Sequence, residues 1–229
     1  MDKKLLIFGA NGALGKGVTK SLLKKDFQEI YLFDRKFDED VQSQNIIKVV
    51  IEDLTIEKNV QFALNNVKAD KNSKLFLFST IGGYYGGVSV WETEEVDFDR
   101  IFNINLKSNY LICKNFADLI KRSSGGSICF TSAFTANHAE KLKFIYGASK
   151  SALNYMVKVM AEEGERINLS INAIAPFIID TPQNREWNKN ANIESWMKPE
   201  ELGELINSIF ENYNFVSGNI IELKYRFSR

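Results

Sequence analysis

Leu5-Leu6-Ile7-Phe8-Gly9-Ala10-Asn11-Gly12-Ala13-Leu14-Gly15 is the stretch on which the fold turns. Four apolar residues without a polar interruption fit a strand covered on both faces. Three glycines follow at intervals of three, and Val18, Leu22 and Leu23 then mark the apolar side of a helix. Strand, glycine loop and helix, in that order, form the setting in which a Gly-rich loop holds a dinucleotide. Gly9 allows the tight turn, Gly12 lets the backbone approach a pyrophosphate, and Gly15 lets the helix pack on the strand. Asn11, Ala13 and Leu14 complete the loop, and the helix N-terminus offers unpaired N–H groups to phosphate. A plain turn with convenient glycines is the other reading. Position at the head of a βαβ pattern favours the nucleotide.

The next strand, Ile30-Tyr31-Leu32-Phe33, ends at Asp34. An acid there accepts hydrogen bonds from the adenosine ribose and repels a 2′-phosphate. Arg35 and Lys36 beside it could attract one. The balance favours NAD(H), with NADP(H) as the alternative. Asp38-Glu39-Asp40 reads as a solvated loop. Val49-Val50-Ile51 is a third strand, followed by Asp53-Leu54-Thr55, where Asp53 either caps the next helix or touches the adenine edge. Leu75-Phe76-Leu77-Phe78 is a fourth and runs into Gly82-Gly83-Tyr84-Tyr85-Gly86-Gly87. Four glycines around two tyrosines suit either close backbone approach to a ligand or loop flexibility.

One long helix is expected over Phe98–Ile120, with Asn103, Asn105 and Asn109 inside it. Asparagine is a mediocre helix former, so at least one of them should do more than face solvent. Ser127–Thr131 and Leu169–Ala175 are further strands, Pro199 starts a helix, and Ile220–Leu223 is the last strand. Apolar strands alternating with helices specify an α/β chain: a single-domain, Rossmann-type, doubly wound parallel sheet of about seven strands. No repeat or linker divides residues 1–229, so one NAD(P)-binding domain is expected.

Tyr146-Gly147-Ala148-Ser149-Lys150 opens another apolar-periodic helix. Positions i and i+4 share a helical face, which sets the Tyr146 phenol near the Lys150 ammonium. A nearby cation favours phenolate and should pull the tyrosine pKa from near ~10 toward neutrality, making a proton donor. An ordinary helix surface is the plainer reading of the pair in isolation.

Lys plus Arg and Asp plus Glu are both 29, so no global charge points to nucleic acid or a membrane. Cys113 and Cys129 read as buried small apolar residues of a reducing compartment. A zinc site or a Ser-His-Asp triad is not expected, because His138 is the one histidine. With no run long enough for a signal or a membrane span, the chain is expected to be soluble and cytoplasmic.

Together, the glycine loop, Asp34, Asp53-Leu54-Thr55, the Tyr146/Lys150 pair, Pro176 and Thr181 resemble the short-chain dehydrogenase/reductase family over essentially the whole chain. The resemblance implies that Tyr146 exchanges the substrate proton and that Lys150 lowers its pKa and binds the nicotinamide ribose. It further implies that Asn105 holds a relay water, Thr181 the carboxamide, and Asp53 the adenine. It implies a small-molecule substrate and a homodimer or homotetramer built on the helices from Phe98 and Tyr146.

Three features depart from the common pattern. The loop is GxxGxxG, Ser79-Thr80-Ile81-Gly82 replaces the usual Asn-Asn-Ala-Gly, and the serine expected about thirteen residues before the tyrosine falls on Ala133. Ser132, one position off, either serves in its place or bonds local backbone. The departures resemble the dihydropteridine reductase branch, as does Asp180-Thr181-Pro182-Gln183-Asn184-Arg185. A quinonoid dihydropterin has no alkoxide for a serine to hold. The implied substrate site lies between Gly82–Gly87 and the polar Thr181–Lys198 segment, whose Trp187 and Trp196 suggest a closing lid. Alternatives are a carbonyl/hydroxyl oxidoreductase and a catalytically silent NAD(H)-binding sensor or scaffold.

Overall fold

In the computed structural model, which describes residues 1–38 and 45–227, β1 (Asp2–Phe8) lies between β2 (Glu29–Asp34) and β4 (Ser73–Ser79), all parallel. Glu39 and Asp40 of the acidic run lie outside the described residues. Leu5 to Phe8 are fully buried. Alternate side chains enter two cores on opposite faces, Leu6 and Phe8 one, Leu5 and Ile7 the other. A strand buried on both faces cannot alternate apolar with polar, which is why this run reads as continuous.

Beyond β2 lies β3 (Ile46–Val50), and beyond β4 come β5 (Gly126–Thr131), β6 (Leu169–Pro176) and β7 (Ile220–Leu223). The order β3-β2-β1-β4-β5-β6-β7 is the expected seven-stranded doubly wound sheet. α1 (Ala13–Leu22) packs with α7 (Pro199–Glu211) on one face. The other face carries α2 (Glu57–Asn65), α3 (Glu95–Phe102), α4 (Ser108–Arg122) and α5 (Phe144–Gly164). The chain winds outward from β1 in one direction, then returns to start β4 on the other side. The carboxyl ends of β1 and β4 therefore frame a crevice, the place where open α/β sheets bind ligands.

The long helix expected over Phe98–Ile120 lies within an unbroken helical run from Glu95 to Arg122, but it is not uniform. A π turn, Asn103–Lys107, separates α3 from α4. The wide turn carries Asn105, which is fully buried, and Asn109 follows it one turn later. Their side chains bond to the segment after β4, and such bulges commonly mark functional positions. Among the described residues, no helix is long and apolar enough to cross a membrane. Cys113 and Cys129 are buried, unpaired thiols.

Two glycines at the crevice are dictated by shape. Gly9 has φ +79°, and a Cβ there would sit 2.2 Å from Thr80 Oγ1. A Cβ on Gly15 would sit 2.1 Å from the Gly9 carbonyl oxygen and 2.8 Å from Ala10 Cα. Gly15→Ala must therefore shift backbone against backbone. We expect it to lower the unfolding free energy by about 1–3 kcal/mol in urea titration, whereas an unchanged midpoint would mean that α1 is not seated on this turn.

Candidate active site

The carboxyl ends of β4 and β5 hold a buried polar cluster. Lys150 is 3% exposed, and its ammonium donates to the Thr131 carbonyl at 2.7 Å. Asn105 spends its amide on three partners: Oδ1 accepts from Gly83 N–H at 2.7 Å, and Nδ2 donates to Gly83 O and Ser149 Oγ. Ser149 in turn donates to the Tyr146 carbonyl, which ties the first turn of α5 to the π turn. Gly82 fits where nothing larger could, since a Cβ would lie 2.9 Å from both Asn105 Oδ1 and Lys150 Nζ. Its close approach is to these side chains.

Sequence reasoning did not reach Ser149 or the Thr131 carbonyl. Ser149 stands inside the Tyr146–Lys150 pentapeptide, and its burial was the missing signal. A backbone acceptor has no residue-type signature at all.

Tyr146 lies on the cavity wall, edge-on to Tyr84, with ring centroids 5.1 Å apart. Burial, with Tyr84 and the Glu140 carboxylate nearby, pushes its phenol up to about 12. Desolvation is the largest cause of that rise and acts in the sense opposite to the lowering expected from Lys150. Glu140 is held by Thr135 and Lys143, which also line the cavity. Burial lowers Lys150 from its ordinary 10.5 to about 8.

Ser132 and Ala133 both border the cavity. The Ser132 hydroxyl is buried without a hydrogen-bond partner, so the reading in which it bonds local backbone is corrected. Ala133 is extended and marks the turn into residues 134–136.

At the other end of the crevice, the N-cap of α1 is Gly12, with no side chain capping the helix. Ala13 and Leu14 begin that helix. Asn11 N–H donates to Asp34 Oδ2 at 2.8 Å, while Arg35 N–H donates to Asp34 Oδ1. Arg35 is exposed, and Lys36 pairs with Asp38. Asp53 does not cap α2, whose N-cap is Ile56; it accepts from Thr55 N–H. The Leu54 side chain is buried in the core and acts in packing.

A cavity of about 940 Å³ lies between the Gly82–Gly87 segment and the chain beyond β6. Thr181 caps α6 (Pro182–Trp187), accepting from Asn184 N–H, and a two-point Arg185–Asp180 ion pair braces that helix. The two tryptophans differ. Both line the cavity, but Trp187 is exposed and leans on Tyr84, whereas Trp196 is 4% exposed.

A glycine loop at the switch point of a doubly wound sheet defines a dinucleotide-binding protein. The sequence profile for short chain dehydrogenase matches residues 3–192, and the chain belongs to that family. Dihydropteridine reductase of Dictyostelium discoideum is 27% identical over 213 residues, 89% of this chain and 86% of its own length. Carbonyl reductase family member 4 of Xenopus laevis is 23% identical over 96% of each chain. The solved structure of ElxO with NADP bound has a TM-score of 0.86 at 22% identity, covering 98% of both chains, a likeness of fold. The protein is an NAD(P)-dependent oxidoreductase of the short-chain dehydrogenase/reductase type.

The buried lysine has a measurable signature. Below about pH 8 both folded and unfolded chains hold its proton; between about 8 and 10.5 only the unfolded chain does. The unfolded state then binds more protons, so stability rises with pH. Relative to Lys150→Met, the wild type should gain roughly 3 kcal/mol across that window in denaturant titrations. A flat difference would place the ammonium in water.

Proposed function

We propose that the protein reduces a small acceptor with NADH, with Tyr146 as the proton donor. The observation that carries this reading is a phenol on the wall of a large cavity, one helical turn from a buried lysine that lines the same cavity. The bound nicotinamide supplies the hydride. The protein's part is to bind, orient and deliver a proton.

The fit to a dinucleotide rests on the uncapped α1 N-terminus and the turn at Gly9, which admits no side chain. In this reading, Gly9, Asn11, Gly12, Ala13, Leu14 and Gly15 hold the pyrophosphate through backbone. Asp34 meets the adenosine ribose, and Asp53, with the Leu54 backbone, meets the adenine. Lys150 and Gly82 border the nicotinamide side, and the Thr181 hydroxyl faces the carboxamide. Lys150 stabilises the phenolate left when Tyr146 gives up its proton. The Asn105 amide is spent on Gly83 and Ser149, so its role is to hold that wall while any relay water is bound elsewhere on it.

NAD(H) is the preferred cofactor in this reading because the Asp34 carboxylate disfavours a 2′-phosphate. Exposed Arg35, and NADP in the ElxO structure, favour NADP(H) as the second reading. The acceptor we favour is a quinonoid dihydropterin, supported by Ala133 at the serine position and by the likeness to dihydropteridine reductase. A ketone is the second acceptor, favoured by the Ser132 hydroxyl with no partner of its own.

The whole chain acts as one domain. An apolar groove on the outer face, lined by Phe102, Leu106, Tyr110, Tyr155 and Met156, supports a homodimer or homotetramer. The buried, unpaired thiols fit a reducing compartment such as the cytoplasm.

NADH and NADPH oxidation should be assayed with quinonoid dihydropterin beside small ketones and quinones. Fast turnover with the pterin and NADH is expected, and activity confined to ketones would reject the pterin. Tyr146→Phe should lower turnover by about 10²–10⁴-fold while NADH affinity, measured by titration calorimetry, stays near wild type. Retained turnover in that variant would remove Tyr146 from the chemistry.

A further inference from the structure

Tyr84 touches two rings that belong to different parts of the cavity. Its centroid lies 5.1 Å from that of Tyr146 and 5.6 Å from that of Trp187, the last residue of α6. The segment carrying Tyr84 is fixed at both ends. Gly83 exchanges two hydrogen bonds with the Asn105 amide, and Gly87 N–H donates to the Leu142 carbonyl at 2.8 Å. The hydroxyl end of the ring packs over Gly86, where a Cβ would stand 2.5 Å from it.

The α6 side is held more lightly. It is a six-residue helix with no buried residue, retained by the Thr181 cap, the Asn184–Ile179 hydrogen bond and the two-point Arg185–Asp180 pair. No buried apolar side chain of its own anchors it to the core. The rigid partner in the contact is therefore Tyr84, and the partner able to move is α6.

We propose that Tyr84 is a positioning residue that latches α6 over the cavity and sets the ring of Tyr146. Seating the helix and aligning the acid then become one event. Edge-on and tilted aromatic pairs each add modest stability beyond buried area, enough to bias a lid and too little to lock it. The latch stands on the ring contacts alone, whereas its effect on catalysis rests on the proposed role of Tyr146.

Trypsin cleavage after Lys189 in the full chain reads the latch without any substrate. Tyr84→Ala and Trp187→Ala should each speed cleavage by about threefold to tenfold, with the double variant no faster than either single one. Tyr84→Phe keeps the ring and should match wild type, and thermal midpoints of all variants guard against global unfolding. Unchanged cleavage in Tyr84→Ala, or additive effects in the double variant, would overturn the latch. With whichever acceptor turns over, Tyr84→Ala should lower kcat and Tyr84→Phe should restore it. A raised KM at unchanged kcat would mean that Tyr84 only contacts substrate. Absence of any active acceptor would count against the proposed function and leave the proteolysis result standing.

Discussion

The Lys150 ammonium, taken out of water and given to the Thr131 carbonyl, sets what may surround it. A buried charge is costly unless polar groups bond it, and a side chain packed against it would crowd those groups. Gly82 is the absent neighbour, for any side chain there would press on Lys150 Nζ. Asn105 is the polar one, and it reaches this position from a π turn that interrupts α3 and α4. Ser149 then couples Asn105 back to α5 through the Tyr146 carbonyl. The buried cation, the bare Gly82 backbone and the spent Asn105 amide thus meet in one cluster.

The sheet explains why this cluster faces a ligand crevice. Parallel strands end together, and the reversal of strand order between β1 and β4 separates the loops that follow them. The Gly9–Gly15 turn stands on one side of that gap and the Gly82–Gly87 segment on the other. Thr80 N–H donates to the Phe8 carbonyl, which fastens the two sides at their base. The adenosine-side residues, Asn11 and Asp34, are bonded to each other at 2.8 Å and form a preorganised edge.

Much of this was legible because burial on both faces leaves a plain trace. The runs at Leu5, Ile30 and Leu75 are apolar without alternation, and each is a central strand. Gly9 and Gly15 were readable because only their backbones fit the turn. What escaped reading depended on tertiary partners. Asn103 and Asn105 mark the stretch as a mediocre helix, but nothing local shows a π turn, whose Asn105 bonds Gly83 across the fold. The pairing of Tyr146 with Lys150 suggested a lowered phenol pKa, but burial, invisible in a four-residue spacing, acts in the opposite sense. Trp187 and Trp196 look alike in sequence and part ways in packing, as one rests on Tyr84 and the other is buried.

The central claim is that Lys150 is a desolvated cation beside a phenol that keeps its proton. NMR titration of protein labelled at the lysine ε-carbon, with Lys150→Met for assignment, reads this directly. The account predicts that Lys150 titrates near pH 8, below its ordinary 10.5. A Lys150 signal that titrates at its ordinary value would contradict it.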